Sequence, residues 1–361
     1  MKVLLICNYK PGVGGISGQV EILQRRLRSE GHTADIFSTK GSFLWRLGLF
    51  CKLRKVARKY DVLHIHCCSG WGFLPAVVGV TAGRRLKKRV VLTYHGGGGE
   101  RFFDKHSCLV RHFLMRTDAN IVLSGFLAKV FDKHQLPYII IPNIIELDES
   151  HYRERKEIKP HFICIRAHEP LYNIPCILRA FHKVITEIPE ATLTLVGNGS
   201  QHEALMAMVK EMGLKNVIFT GKVDNSEIYQ YLDQADIFLS APTVDNMPVS
   251  VLEAMNAGLL VISSNVGGVP YMVKDDDNDN DDDDNDNNDD DDDNDDDNGC
   301  GTGLLFESDN DVELAKKMLW AVGNKTMTKT ITMAAHKAVQ QYRWGNIKDK
   351  LYTAYNLHHS V

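Results

Sequence analysis

The chain has no Cys-x-x-Cys pair, and its eight cysteines do not alternate with histidine at metal-ligand spacing. That argues against a zinc ribbon, a dithiol redox centre or a disulfide framework. Cys7 and Cys164 lie inside apolar runs, where a thiol is small core filling, and free thiols suit a reducing cytosol. No stretch approaches the roughly 20 apolar residues that a membrane-spanning helix requires. The first apolar run, Val3 to Cys7, is too short for a signal-peptide core and reads as a first strand. The expectation is a protein that is soluble, or peripheral on a membrane, and bound to no metal.

Positive charge is scarce only on paper. The formal net charge is -4, but residues 275–298 are Asp and Asn alone, with 17 Asp among 24 positions. Without them 42 basic residues face 29 acidic ones, a body of about +13 that suits anionic partners. Nothing in the tract can bury apolar surface, so it is expected to be a disordered insertion. Its Asp-x-Asp triplets arise by chance in a two-letter run and are not read as a metal motif.

A length of 361 residues exceeds a usual single core, and 44% hydrophobic content can fill two. Short apolar strands alternate with amphipathic helices in both halves, the grammar of doubly wound parallel sheets. The first half offers Lys2–Cys7, His32–Phe37, Val62–His66, Arg89–Tyr94 and Ile121–Leu123, and the second Phe162–Ile165, Thr192–Val196, Val217–Thr220, Ile237–Leu239 and Leu259–Ile262. The domains predicted are 1–145, a charged linker at 146–159, and 160–341, with a helical C-terminal run at 342–361. The tract falls between a helix expected near Gly268 and a strand at Gly303–Phe306. A helix-to-strand loop lies at the amino edge of such a sheet, away from the ligand crevice.

The densest motif runs from Asp245 through Glu253 to Ala257-Gly258, then a buried strand and the turn Gly267-Gly268-Val269-Pro270. It reads as a loop with two acidic residues eight apart, the second opening a short helix that Gly258 ends. That order puts both carboxylates at the carboxyl edge of a parallel sheet, where they can accept hydrogen bonds from the hydroxyls of a ribose or sugar ring. The segment resembles the acidic-x7-Glu signature of the retaining glycosyltransferases of family 4, with Asp245 where that family usually has Glu.

The resemblance covers the whole chain except the tract and implies the GT-B architecture, two Rossmann-like domains facing across a cleft. It implies a retaining, metal-independent transferase with no cofactor, whose donor is a UDP- or GDP-sugar. Arg166, at the end of a strand, stands where the family has its diphosphate Arg, and a guanidinium can grip two phosphate oxygens. The family's Lys about six residues on is missing, and Tyr172 and Asn173 occupy that place. Gly14 and Gly15 resemble the Gly-Gly loop beneath the donor diphosphate, opening a helix expected from about Gly18. His95, before four glycines, resembles the histidine beside the transferred sugar. Gly197, then Lys222 and Val223, fall where the nucleotide is held, and Asn246, Met247 and Val249 where backbone N–H groups meet sugar and diphosphate.

The acceptor implied is a glycan or lipid-linked molecule, in surface-polysaccharide synthesis at the cytoplasmic membrane face, and no nucleic acid is involved. Residues 49–60 place Leu49, Leu53, Val56 and Tyr60 on one helical face with Lys52, Arg54, Lys55, Arg58 and Lys59 around it, just after Phe43–Leu47. With Arg84–Arg89 they form a candidate patch for anionic lipid. Two other readings stand beside this one. A nucleotide-sugar epimerase needs further acid/base groups at the first-domain cleft, where only His95 and Glu100 offer themselves. A non-catalytic nucleotide-sugar binder fits Asp245 and the missing Lys.

Overall fold

The computed structural model describes residues 1–11, 15–41, 48–146, 151–275 and 300–356. Gly14, Phe43–Leu47 and all of the tract after Asp275 lie outside these.

Two six-stranded sheets carry the fold. The first comprises β1 (Lys2–Cys7), β2 (Thr33–Ser38), β3 (Val62–Cys67), β4 (Arg89–Tyr94), β5 (Ala119–Val122) and β6 (Ile139–Ile140), in the order β2-β1-β3-β4-β5-β6. The second comprises β7 (His161–Ile165), β8 (Thr192–Val196), β9 (Val217–Gly221), β10 (Ile237–Ser240), β11 (Leu260–Ser264) and β12 (Leu304–Phe306), in the order β12-β11-β10-β7-β8-β9. Every strand pair is parallel. The architecture is the doubly wound α/β class the alternating runs predict.

The central strands of each sheet are buried on both faces, which is why they read as largely apolar runs. Along β1, Leu4 and Ile6 join one core while Val3, Leu5 and Cys7 join the other. The second core is shared with the helix Trp344–Ala354, whose Trp344, Ile347 and Leu351 pack on the first sheet. The indole N–H of Trp344 donates to Glu30 at 3.0 Å. The chain leaves the first domain at Ile145 beside its return at Arg343, and the Ile145 N–H donates to the Tyr342 carbonyl at 3.1 Å.

Several local expectations need correction. The first helix begins at Ile16, not Gly18, because Gly15 takes φ 66 and turns the chain directly into it. Glu253 lies in the middle of the helix Val249–Asn256, which Pro248 opens, so it does not start that helix. The helix expected after Gly268 is a single 3₁₀ turn, Val269–Tyr271, since Asp275 soon pairs with Gly303. The charged stretch 146–159 is no bare linker where it is described. Arg155 is fully buried and donates to the carbonyls of Arg153, Leu232, Ala235 and Ala257, tying this stretch to two helix ends of the second domain.

The tract springs from the amino edge of the second sheet. Thr302 N–H donates to the Lys274 carbonyl at 2.8 Å, and Leu305 N–H to the Asp275 carboxylate at 3.1 Å. β12 runs parallel to β11, so these anchors lie at the strand starts.

Leu351 is 3% exposed between the crossing helix and the first sheet. Leu351→Ala should cost about 2–5 kcal/mol. Urea unfolding would measure this; a loss below about 1 kcal/mol would mean the helix adds little to the first domain.

Candidate active site

In the second sheet the strand order reverses between β7 and β10, and ligands of open α/β sheets bind at that point, outside the carboxyl ends. Arg166 follows β7, and Asp245 follows β10 by five residues. Their side chains meet there, with Arg166 Nη1 3.2 Å from Asp245 Oδ2. Arg166 Nη2 donates to Ser240 Oγ at 3.0 Å, and the guanidinium lies over the Tyr172 ring, 5.1 Å from its centre. The guanidinium is therefore held on three sides.

The turns around it require glycine. Gly197 sits at φ 144, and a β-carbon there would run into the Arg166 carbonyl. Gly267 and Gly268 would collide in the same way with the carbonyls of Asp245 and Asn246. The backbone after β11 thus lies directly on the acidic loop, and Gly268 N–H donates to the Asp245 carbonyl at 3.0 Å. Asn246 N–H turns back onto Asp245 Oδ1 at 2.8 Å, fixing the carboxylate toward Arg166.

The first domain closes on the same loop. Ser124 Oγ donates to Asn246 Oδ1 at 2.7 Å, and Asn143 Nδ2 to the Met247 carbonyl at 3.0 Å. A β-carbon on Gly97 would stand 3.4 Å from the Asp245 carbonyl carbon. Gly125 faces the Tyr271 ring so closely that no side chain fits. The loop after His95 is therefore brought against the acidic loop across the domain boundary.

Glu253 opens onto a cleft of about 830 Å³ that runs between the first helix, at Gly18 and Glu21, and Tyr229 and Val249 of the second domain. Its carboxyl makes no hydrogen bond or ion pair with a described residue. Burial pushes its pKa up to about 7, and the charge of Arg166 offsets this in part.

His95 ends β4 half-buried, its ring 3.0 Å from His66. Burial lowers its pKa to about 4, so the ring is neutral at physiological pH. Tyr172, where the resemblance expects a lysine, stacks on Arg166 instead, and Asn173 Nδ2 donates to Asp309 at 3.0 Å. Val249 lines the cleft, Lys222 is exposed in the turn after β9, and Val223 packs on the second domain's core. Among the described residues neither Lys222 nor Val223 forms a hydrogen bond or ion pair with the Arg166 cluster.

Ser240, Ser124 and Asn143 were not legible as site residues, because single polar residues at strand ends carry no motif. His66 had a usable signal. His64 and His66 stand two apart on a strand and so share one face.

Of the basic patch, Arg85 lies 4.9 Å over the Phe50 ring, which joins the two segments. Arg84 pairs with Asp118, and Arg89 turns inward to donate to the Ala354 carbonyl, so neither is a free surface charge. No described helix is long and apolar enough to cross a membrane.

The family model described as glycosyl transferases group 1 matches residues 148–338, and that of Glycosyltransferase Family 4 matches residues 38–149. Over 253 residues the chain is 26% identical to the N-acetyl-alpha-D-glucosaminyl L-malate synthase of Bacillus anthracis. That match covers 64% of this chain and 64%, just under two thirds, of the relative. The alpha-monoglucosyldiacylglycerol synthase of Streptococcus pneumoniae is 26% identical over 317 residues, 73% of this chain and 70% of that protein. Among solved structures, Anabaena HepE in complex with UDP-glucose superposes with a TM-score of 0.74 at 18% identity, covering 99% of this chain and 100% of HepE. Sucrose-phosphate synthase from Thermosynechococcus elongatus gives 0.74 at 17% identity, with 98% of both chains covered. These likenesses establish the GT-B fold.

Glu253 yields a pH prediction. Its folded pKa of about 7 lies above the ordinary 4.5, so its stabilising contribution is complete below pH 4.5 and is lost as pH rises through 7. Glu253→Gln should therefore leave stability near pH 4 almost unchanged and raise it above pH 7, by at most about 3 kcal/mol. Denaturant unfolding at pH 4.5 and pH 8 checks this. An equal effect at both would show that the carboxyl titrates normally.

Proposed function

The chain belongs to the group 1 glycosyl transferases, and on that premise we propose that it is a retaining glycosyltransferase taking its sugar from a UDP- or GDP-sugar. The observation that carries this is the meeting of Arg166, Asp245 and the glycine-lined acidic loop at the switch point of the second sheet, with Glu253 on the adjoining cleft. Two relatives are named for α-glycosidic products, another is named as GDP-mannose-dependent, and HepE has been solved with UDP-glucose.

In this reading Arg166 exchanges Asp245 for the donor diphosphate and stabilises the charge that grows on it as it leaves. Gly15, opening the first helix, and Gly197 leave room for the phosphates. Glu253 accepts hydrogen bonds from the ribose hydroxyls. Asp245, freed from Arg166, accepts from hydroxyls of the transferred sugar, and Asn246, Met247 and Val249 surround it. His95, neutral, acts as a hydrogen-bond partner to sugar or acceptor. The bond from the anomeric carbon to the phosphate oxygen breaks, the acceptor oxygen bonds to that carbon on the same face, and its proton passes to the departing phosphate. No metal or cofactor takes part.

The acceptor we assign is a glycan or lipid-linked molecule used in cell-surface synthesis, with the enzyme peripheral on the cytoplasmic membrane face. The support is the cationic helix Leu49–Ala57, whose Leu49, Leu53 and Ala57 are buried while Arg54 and Lys55 are exposed, with Arg85 alongside. An epimerase is less well supported, since among the described residues no carboxylate hydrogen-bonds to His95, whose ring meets His66.

Two experiments test this. Arg166→Lys keeps the charge but loses the fork, so affinity for UDP or GDP should fall about tenfold or more, with the melting temperature little changed. Calorimetric titration reads it, and full affinity in the lysine form would remove Arg166 from the diphosphate site. Separately, reversing Arg54 and Lys55 to Glu should weaken binding to anionic vesicles by about fivefold or more per site, each basic residue near the surface being worth about 1 kcal/mol. Equal partition of the wild type onto neutral and anionic vesicles would rule out electrostatic docking.

A further inference from the structure

A row of three histidines stands on β3 and just past the end of β4. His64 and His66 project from the same face of β3, their rings 4.2 Å apart, and the His66 ring stacks on that of His95 at 5.2 Å. His64 is fully engaged, with Nδ1 2.7 Å from the Tyr355 hydroxyl and Nε2 2.8 Å from Thr93 Oγ1. His66 is not. Its Nδ1 meets His95 Nε2 at 3.0 Å, but its Nε2 is buried with no partner among the described residues. It borders a small cavity of about 40 Å³ walled largely by apolar side chains, among them Leu23, Ile121, Ile144 and Ile347. The three rings form no metal site, since no cluster of three His, Cys, Asp or Glu able to hold an ion occurs among the described residues.

A ring nitrogen facing this largely apolar pocket gains no bond from the described protein, and a phenyl ring would fill the same space without it. What histidine adds is the one hydrogen bond from Nδ1 to His95. Both rings are neutral, because burial lowers His95 to about 4 and His66 well below its ordinary value. Each neutral ring carries one proton, so the bond fixes the His95 tautomer: Nδ1–H where its Nε2 accepts from His66, Nε2–H where its Nε2 donates.

We infer that His66 is a positioning residue for the sugar transfer: it fixes the rotamer and the tautomer of His95, so that the free nitrogen of His95 meets substrate in a single hydrogen-bonding role. This rests on the reading of His95 as a group beside the reacting sugar. His66 itself touches no substrate, and its effect passes wholly through the 3.0 Å bond.

The test uses His66→Phe and His66→Asn in the full chain. Asparagine places an amide atom where Nδ1 stands and can restore the bond, whereas phenylalanine fills the space and cannot. His66→Phe should keep or raise the melting temperature, lower kcat at least tenfold and leave donor KM within about threefold; His66→Asn should recover most of kcat. Nitrogen-15 spectra of ring-labelled protein give a readout independent of turnover: one tautomer of His95 in the wild type and the Asn form, a mixture in the Phe form. A His66→Phe enzyme with full kcat and an unchanged His95 spectrum would overturn the inference. So would a drop in melting temperature with kcat unchanged, which marks a packing role only. If the wild type turned over no nucleotide sugar, the proposed function would fall, and the spectra would still decide whether His66 sets His95.

Discussion

A guanidinium and a carboxylate meet at 3.2 Å where the second sheet reverses its winding, and most of the site is arranged around keeping them there. Arg166 is 9% exposed and Asp245 20%, so the pair sits at the edge of water. Neither charge could stay so placed alone, because removing one partner of a sheltered pair leaves the other uncompensated. Ser240 and the Tyr172 ring hold the guanidinium, while the Asn246 N–H holds the carboxylate. The glycines follow from the same constraint, since Gly197, Gly267 and Gly268 let three turns lie against the backbone of the pair. In the proposed reaction this arrangement has a use: Asp245 keeps the arginine fork ordered until a diphosphate with more oxygens replaces it.

The acidic loop is also where the two domains touch. Ser124 and Asn143 bond to Asn246 and Met247, and Gly97 and Gly125 allow close approach. The residues that hold the acidic loop therefore also set its distance to the His95 loop. The helix Trp344–Ala354 ties the domains a second time by completing the core of the first sheet, and the Tyr355 hydroxyl just beyond it reaches His64. The first domain, its histidine row included, thus depends on the far end of the chain.

The charge of the molecule is divided in space. The Asp/Asn tract begins and ends at the amino edge of the second sheet, through Lys274, Asp275 and Thr302, while Arg166 and Asp245 stand at the carboxyl edge. Parallel strands separate the two by their own length, so the largest concentration of negative charge is attached away from the site that the proposal gives to an anionic donor. That separation is a matter of topology, which puts helix-to-strand connections on one edge and strand-to-helix connections on the other.

The sequence by itself determined the two doubly wound sheets, because a strand buried on both faces must be apolar at every position, a pattern that Leu4 to Cys7 and Leu260 to Ile262 display. It also determined that Asp245 lies in the loop after one strand and that Arg166 follows a neighbouring one, both at the carboxyl edge of the second sheet. Helix starts were less legible. Gly15 and Pro248 set them through backbone angles that a periodicity count does not register. Only the tertiary structure decided that Asp245 spends its charge on Arg166, that Tyr172 stacks where a lysine was missed, that Arg89 and Arg155 serve buried carbonyls, and that His66 stands behind His95. Apart from the Tyr172 stack, these contacts join residues 29 to 265 positions apart. A sequence fixes periodicity and turn chemistry locally, whereas the partner of a polar side chain is chosen by how separate elements pack, and burial then sets what that partnership is worth.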